Sequence, residues 1–600
     1  MQEVLSGIIE RKGYIEKLLQ FVKAEQLTDR SLWKLFVDQY RDKADTDNGW
    51  RGEYWGKTMR GAVLTYLCSE DQSLYACLEE TVRDLLSIQE EDGRISSYPR
   101  DRELDGWDMW GRKYVLLGCL YFYEICQDET LKLEIVSALC RHLDYIIERV
   151  GDGKKSIFQT SRHYGGLNSC SILEPVVRLY KLTGKEEYLK FATYIVQTGF
   201  CQDMNLIELC LHKEKAPYQF VYTKAYEMMS CFQGLLEYYE VTGNEDDLRA
   251  VLNFADVVNE TDITLIGCAG CMGENFDNAF IKQTEYSDEI MQETCVTVTW
   301  MNLCFKLLKM TGEAKYADWL ECSALNAMSG AVNTEKQKAA RAYVWDGSQG
   351  VEYKGERGVL PFDSYSPLYK NRRGKGIGGF NVMKNGCSYG CCAAIGSAGV
   401  ALSALFGVMK DDEGICVNLY ENVAFDTEVY GVHVSFAMTE DLLNSDVVKV
   451  SLQTDAPTMI KFRIPKWSNM LNVSFENEQR AVMVKNGYAV IVTNSGKENI
   501  ELQLDASLKK HFLNGKIAFT KGPYVLSFDQ RISKKLKPLS SLVKTDFLEA
   551  IRVENTRFDN LITLQFTTKN ETVTMCDYAS AGKNFDEKDC DVSVWWDLNE

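Results

Sequence analysis

Through roughly the first 408 residues, apolar positions recur at helical spacing and one unit repeats. "VVRLYKLTGKEEYLKFATYIV" from Val176, "LLEYYEVTGNEDDLRAVLNFA" from Leu235 and "CFKLLKMTGEAKYADWLECSA" from Cys304 share a form. Each predicts a helix, a Thr-Gly turn and a second helix, with the Gly as left-handed cap and acidic residues opening the next helix. The turn glycines are Gly184, Gly243 and Gly312. Helical hairpins at this period indicate a repeat architecture, and about six fit, which predicts a closed (α/α)6 barrel, a helical toroid. Catalytic groups then belong on the connecting loops.

Beyond "KDDEG" from Lys410 the period changes to two. "ICVNLYENVAFDTEVYGVHVSFAM", "VVKVSLQTDAPTMIKFRIP", "YAVIVTNSGKENIELQL" and "IAFTKGPYVLSF" alternate apolar and polar residues with β-branched and aromatic enrichment, the pattern of antiparallel β-sandwich modules. The expected division is a helical catalytic domain over 1–408, a β-sandwich over 409–535 and a second small β module over 536–600. The fold class is mainly α with β.

The net charge of −19 argues against nucleic acid or an anionic membrane as the main partner. It suits an enzyme acting on neutral or small substrates. The opening residues lack a signal-peptide core and no apolar run reaches about 18 residues, so the expectation is a cytoplasmic protein. Twenty cysteines are scattered through helical segments, where they read as small core residues in a reducing compartment.

Three irregular stretches change that picture: "CAGCMGENFDNAF" from Cys268, "EIMQETCVTVTW" from Glu289 and "NGCSYGCCAAIGSAGVALSALFG" from Asn385. Glu293 with Cys295, and Cys391 with Cys392, each precede a helical apolar run. They fall at predicted helix N-termini, where the macrodipole favours thiolates. One carboxylate and three thiolates make a tetrahedral zinc set of O and S ligands. With the metal the charge is about −2, which neighbouring donors have to offset. Cys268 and Cys271 form a rival CxxC pair, or pack as core. His142, His163, His212, His433 and His511 all fall outside these clusters and read as surface or core residues.

"GENF" at Gly273, "ETC" at Glu293 and the Cys-Cys pair, in this order on a helical toroid, resemble glycoside hydrolase family 127, the β-L-arabinofuranosidase family. "YWGKTMRGA" from Tyr54, "FRIPKWS" from Phe462, "GYAVIV" from Gly487 and "TKGPYVLSF" from Thr520 extend the likeness over nearly the full chain. The resemblance implies an (α/α)6 barrel followed by β-sandwiches, and Zn2+ held by Glu293, Cys295, Cys391 and Cys392. It also implies Cys391 as nucleophile and Glu274 as general acid/base in a retaining double displacement. Metal binding would keep the thiol ionised. Met272 and Phe276 offer apolar flanks to raise the pKa of Glu274. The implied substrate is a small glycoside or oligosaccharide, and a homodimer is the implied assembly.

Departures from the family concern the sugar pocket. The Cys pair is followed by "AAIG" rather than Pro and a polar residue. The stretches "WDMWGRKYVLL" from Trp107, "GGLNSCSILEP" from Gly165 and "VYTKAYEMM" from Val221 carry Lys113, Ser169 and Lys224 but no histidine. Trp50, Trp55, Trp107 and Trp110 stand near the expected mouth, as sugar-stacking or core residues. "GKGIGGF" from Gly374 reads as a loop, without the P-loop pattern. Two other functions fit a helical toroid: a carboxylate-based hydrolase of unsaturated uronides using Asp105 or Asp108, and a non-catalytic protein with a structural zinc.

Overall fold

The computed structural model describes the chain except residues 1, 6–7, 271–272, 287–292, 333, 335–342, 345–350, 353–361, 363–367, 373–379, 384–385, 387, 469, 477–479, 481, 534–535, 537, 540–548, 568–571, 584–590 and 599–600. Six buried helices form the frame: α1 (Tyr54–Ser69), α2 (Asp108–Ile125), α3 (Leu173–Thr183), α4 (Ala225–Thr242), α5 (Thr294–Thr311) and α6 (Cys391–Leu405). Each packs on the next and α6 returns to α1, so the ring closes. Contacts fix a common direction. Thr58 bonds to the Ala394 carbonyl. Lys306 pairs with Glu237, while Gln233 bonds Asn302 one turn earlier on both helices. All six N-termini therefore lie at one end of the barrel.

The outer layer is supplied by Gln72–Ser87, Glu129–Ile147, Glu186–Gln197, Glu245–Thr261 and Ala314–Cys322. Gly184, Gly243 and Gly312 each cap an inner helix in the left-handed region, at φ 67°, 68° and 67°, as the Thr-Gly turns require. Three of these outer helices start on side-chain caps, from Asp71, Asp128 and Asn244. Asp71, for example, accepts from the Ser73 and Leu74 amides at 2.8 and 3.1 Å.

The small-residue run of α6 has a packing cause. All fifteen of its residues are buried, and α1 approaches it so closely that a Cβ on Gly61 would stand 2.0 Å from Ser397 Oγ. On the other side of α1, a Cβ on Gly56 would stand 2.0 Å from the Tyr114 carbonyl oxygen of α2. Larger side chains would push these helices apart.

The sandwich is two six-stranded sheets. One runs Glu3–Val4, Val408–Asp411, Gly414–Val417, Met459–Arg463, Tyr488–Val492 and Met483–Lys485. The other runs Leu471–Phe475, Gly496–Leu504, Val447–Thr454, Val432–Asp441, Asn422–Val429 and Glu10–Lys12. Pairing is antiparallel except between Gly414–Val417 and Met459–Arg463. The first twelve residues thus belong to the sandwich sheets. The strands from Leu508 to Asp529 join the third, nine-stranded sheet with the C-terminal strands, and their core side chains pack there.

The motifs "FRIPKWS", "GYAVIV" and "TKGPYVLSF" are joints between these units. Fully buried Arg463 pairs with Asp318 and Glu321 of the barrel's outer layer, and Trp467 Nε1 donates to Glu321 at 2.7 Å. Gly487, at φ +83°, lies against Ala314. Asn326 donates to the Pro523 carbonyl at 3.0 Å and accepts from the Val525 amide at 2.9 Å.

Candidate active site

At the N-terminal end of the inner ring, Glu293 is the N-cap of α5, Cys295 lies in its first turn, and Cys391 and Cys392 open α6 after the strand Ser388–Gly390. The donor atoms of these four residues lie within 4.8 Å of one another, and all four side chains are buried. Cys391 Sγ is 3.1 Å and Cys392 Sγ 3.6 Å from Glu293 Oε1, and Cys295 Sγ is 3.6 Å from Cys392 Sγ. A buried carboxylate with three sulfurs is a donor set that fits a metal ion such as zinc. The four residues that the sequence analysis grouped as candidate ligands thus stand together in space.

Helix N-termini favour thiolates, yet without a metal the surroundings of Cys391 and Cys295 favour the thiol form. Hydrogen bonding from Cys295 draws the Cys391 thiol down, but Cys392 and burial outweigh it, and the group is pushed up to about 12. Burial, then Cys391 and Cys392, raise Cys295 well above its usual range. At Cys295 and Cys391, desolvation and the neighbouring sulfurs exceed the helix-end field.

Two lysines face this cluster. Lys57 Nζ pairs with Glu53 at 2.8 Å and lies 4.4 Å from the Tyr226 ring centroid. Burial alone would push its ammonium down, but Glu53, Tyr226, Tyr114 and the Cys295 sulfur hold it well above its usual value. Lys224 is likewise raised, against burial, by Glu227, Tyr164, Glu293 and Cys391. These cations are the compensation that a negatively charged ligand set requires.

Lys224 also forms an ion pair with Glu274. Backbone bonds lock the two together: the Ala225 amide donates to the Glu274 carbonyl and the Phe276 amide to the Thr223 carbonyl, both at 2.7 Å. Phe276 is buried as expected and packs edge-on to Phe254; Met272 lies outside the described residues. The partner given to the Glu274 carboxylate is thus a cation rather than an apolar wall. Glu293 and Cys391 also raise Lys224, so the Lys224–Glu274 pair lies in the electrostatic field of the sulfur cluster.

A group of aromatic rings adjoins Lys224. Trp107 stacks on His163 with centroids 5.5 Å apart and meets Trp50 and Trp110 edge-on at 6.0 Å. Tyr164 lies under Lys224 Nζ at 5.1 Å. Trp55 and Trp110 are core residues, while Trp50 and Trp107 stay partly open. His163 is half-buried and lies outside the sulfur cluster. His142 is core, accepting from the Ile95 amide at 3.1 Å.

The carboxylates of the rival chemistry are engaged: Asp108 is buried and accepts from the Leu104 amide at 2.7 Å and Arg112 Nε at 2.9 Å, and Asp105 pairs with Arg162 at 2.8 Å. Cys268 accepts from Thr297 Oγ1 at 3.0 Å, outside the four-residue set; Cys271 and the loop 374–379 fall outside the described residues. Ser169 bonds Thr160 at 2.9 Å. Lys113 lies deeper, against the Trp110 ring at 4.3 Å. Lys57 lies in the "YWGKTMRGA" motif, but its buried pairing with Glu53 becomes visible only in the structure.

Residues 14–345 match the family described as Beta-L-arabinofuranosidase, GH127 catalytic domain. No curated protein sequence matches the chain. Among solved structures, a GH127 beta-L-arabinofuranosidase from Geobacillus Stearothermophilus T6 superposes with TM-score 0.72 at 16% identity, covering 98% of this chain and 100% of that one. The GH127 beta-arabinofuranosidase BT3674 gives 0.71 at 16% identity, covering 100% and 98%. A third, titled only a glycoside hydrolase, gives 0.67 at 14%, again covering 100% and 98%. At these identities the likeness establishes the fold: a helical barrel followed by β domains.

Proposed function

Since the chain belongs to the GH127 β-L-arabinofuranosidase family of glycoside hydrolases, we propose that it is a zinc-dependent retaining glycosidase in which Cys391 is the nucleophile and Glu274 the general acid/base. One observation carries this reading: the convergence of Glu293, Cys295, Cys391 and Cys392 at two adjacent helix N-termini, beside the Lys224–Glu274 pair. Zinc held by these four residues would keep the Cys391 sulfur ionised at neutral pH.

Cys391 would attack the anomeric carbon while Glu274 delivers a proton to the leaving oxygen. Glu274 would then take a proton from the water that hydrolyses the thioglycosyl bond. This is the retaining displacement with sulfur in place of the second carboxylate. Lys57 and Lys224 offset the charge of the sulfurs, and Trp107, His163 and Tyr164 offer faces on which a sugar ring can stack. Lys224 in place of a pocket histidine suits a changed set of sugar hydroxyls, so the substrate class is a terminal glycoside, with β-L-arabinofuranosides the first candidates.

The test pairs metal content with hydrolysis of 4-nitrophenyl β-L-arabinofuranoside and a wider glycoside panel. About one zinc per chain, activity in the wild type and none in Cys391→Ser are expected. Bound zinc with no activity on any glycoside would overturn the catalytic role. It would leave the second reading that a fully buried four-ligand set supports, a structural metal.

A further inference from the structure

The inner helices carry two buried cations that have no ion pair among the described residues. Arg60 and Lys113, on α1 and α2, are 3% and 1% exposed. Arg60 Nε and Nη2 are buried and have no hydrogen-bond partner among the described residues. Lys113 has no ion pair among the described residues; its Nζ rests on the rings of Trp110 and Tyr114, at 4.3 and 5.0 Å. The groups acting on Arg60 are Tyr226, Tyr114, Tyr121 and Glu174, and those acting on Lys113 include Glu174, Arg60 and Cys231. Apart from Arg60 itself these belong to α2, α3 and α4, so the surroundings of both cations are built by the inner helices of the ring.

The one carboxylate they share is already engaged. Glu174 pairs with Lys306 at 3.0 Å, and Lys306 also holds Glu237, which in turn takes Lys181. A buried guanidinium edge with two unsatisfied N–H groups, next to a buried ammonium, is costly unless something accepts from both. The Nε–Nη2 edge is the donor fork that binds small anions most effectively.

We propose that the barrel lumen holds one small inorganic anion, of chloride or nitrate size, bound between Arg60 and Lys113. It would be an internal counter-ion, separate from the sulfur cluster and the Lys224–Glu274 pair. It also accounts for Lys113, which burial together with Arg60 and Lys57 pushes down to about 7. An adjacent anion restores the charged form. The anion would tie α1 to α2 across the axis, beside the hydrogen-bonded Tyr114 and Tyr226 hydroxyls.

The test is crystallographic and thermal, on the full chain. Crystals grown in sodium bromide, with data at the bromine edge and at long wavelength where chlorine also scatters anomalously, should show a peak within hydrogen-bond reach of Arg60 and Lys113. In parallel, the melting midpoint should rise by about 2 °C or more between 1 and 100 mM sodium bromide, relative to sodium gluconate at equal ionic strength. That rise should vanish in Lys113→Met and in Arg60→Met. Water alone in the lumen at both wavelengths would overturn the proposal. A bromide-dependent midpoint unchanged in Lys113→Met would do the same, since the ion would then act elsewhere. If Arg60→Met does not fold, Lys113→Met and the anomalous map still decide.

Discussion

Metal binding at the sulfur cluster should release two to three protons per ion. As drawn, Cys391 and Cys392 each donate an S–H to Glu293 Oε1, and Cys295 donates to Cys392 Sγ. The Cys391 thiol is pushed up to about 12 and Cys295 is raised well above its usual range. At pH 7 a group titrating near 12 is ionised on the order of once in 10⁵. Metal ligands are thiolates, so at least the Cys295 and Cys391 protons must leave, and a third if Cys392 follows. The apparent affinity then rises roughly 100- to 1,000-fold per pH unit near neutrality. Competition against a chromophoric chelator at pH 6.5, 7.0 and 7.5, corrected for the chelator's own protonation, measures that slope. Calorimetry in two buffers of different ionisation enthalpy counts the protons directly. A release below about one proton would refute the picture of a protonated, metal-free cluster. The sign for stability follows from the same shifts. These thiols titrate higher folded than unfolded, so their contribution is fully present below about pH 8.5 and is lost as pH rises from there towards 12. Chelated protein should therefore melt progressively earlier above about pH 8.5, and metal-loaded protein should not.

Three substitutions probe other parts of the argument. Glu274→Gln should lower turnover about 10²- to 10⁴-fold while leaving metal content and melting midpoint near wild type; a variant keeping more than about a tenth of the rate would contradict the acid/base role. Gly56→Ala places a methyl 2.0 Å from the Tyr114 carbonyl oxygen, a backbone clash that no rotamer relieves, so it should cost about 1–3 kcal/mol or more; an unchanged urea midpoint would show that α1 and α2 are not so close. Arg463→Met leaves Glu321 buried beside only Trp467 and should cost about 3–5 kcal/mol; separate melting of barrel and sandwich is the expected signature, and unchanged single-transition melting would refute the joint.

The barrel was legible because its hairpins repeat and their Thr-Gly turns are stereochemically demanding. The ligand pairs were legible because each sits just before an apolar helical run. Other features left weaker marks. Glu3–Val4 and Glu10–Lys12 are two and three residues long, too short for alternation to register, and their strand character comes from pairing with residues 408–424. The regrouping of Leu508–Asp529 with the C-terminal sheet depends on which core they share, which periodicity does not encode. The buried pairing of Lys57 with Glu53 becomes visible only in the structure, because only ring closure turns that face inward. The protonation of the sulfurs depends on burial and on their mutual distances, both tertiary quantities. Lys224 was placed near the pocket by its motif, but its pairing with Glu274 needed the backbone bridge between two segments about fifty residues apart.

The pairing of the N-terminal strands with residues around 408–424 has a consequence for the order of events during synthesis. The first twelve residues leave the ribosome before any helix of the ring, yet their partners emerge about four hundred residues later. Until then they are waiting strand edges. The last inner helix, α6, carries Cys391 and Cys392 and ends just before those partners. Closure of the ring, completion of the metal ligands and capture of the N-terminus therefore fall within one short stretch of elongation. A nascent chain stopped before residue 391 would have neither a closed barrel nor a metal site.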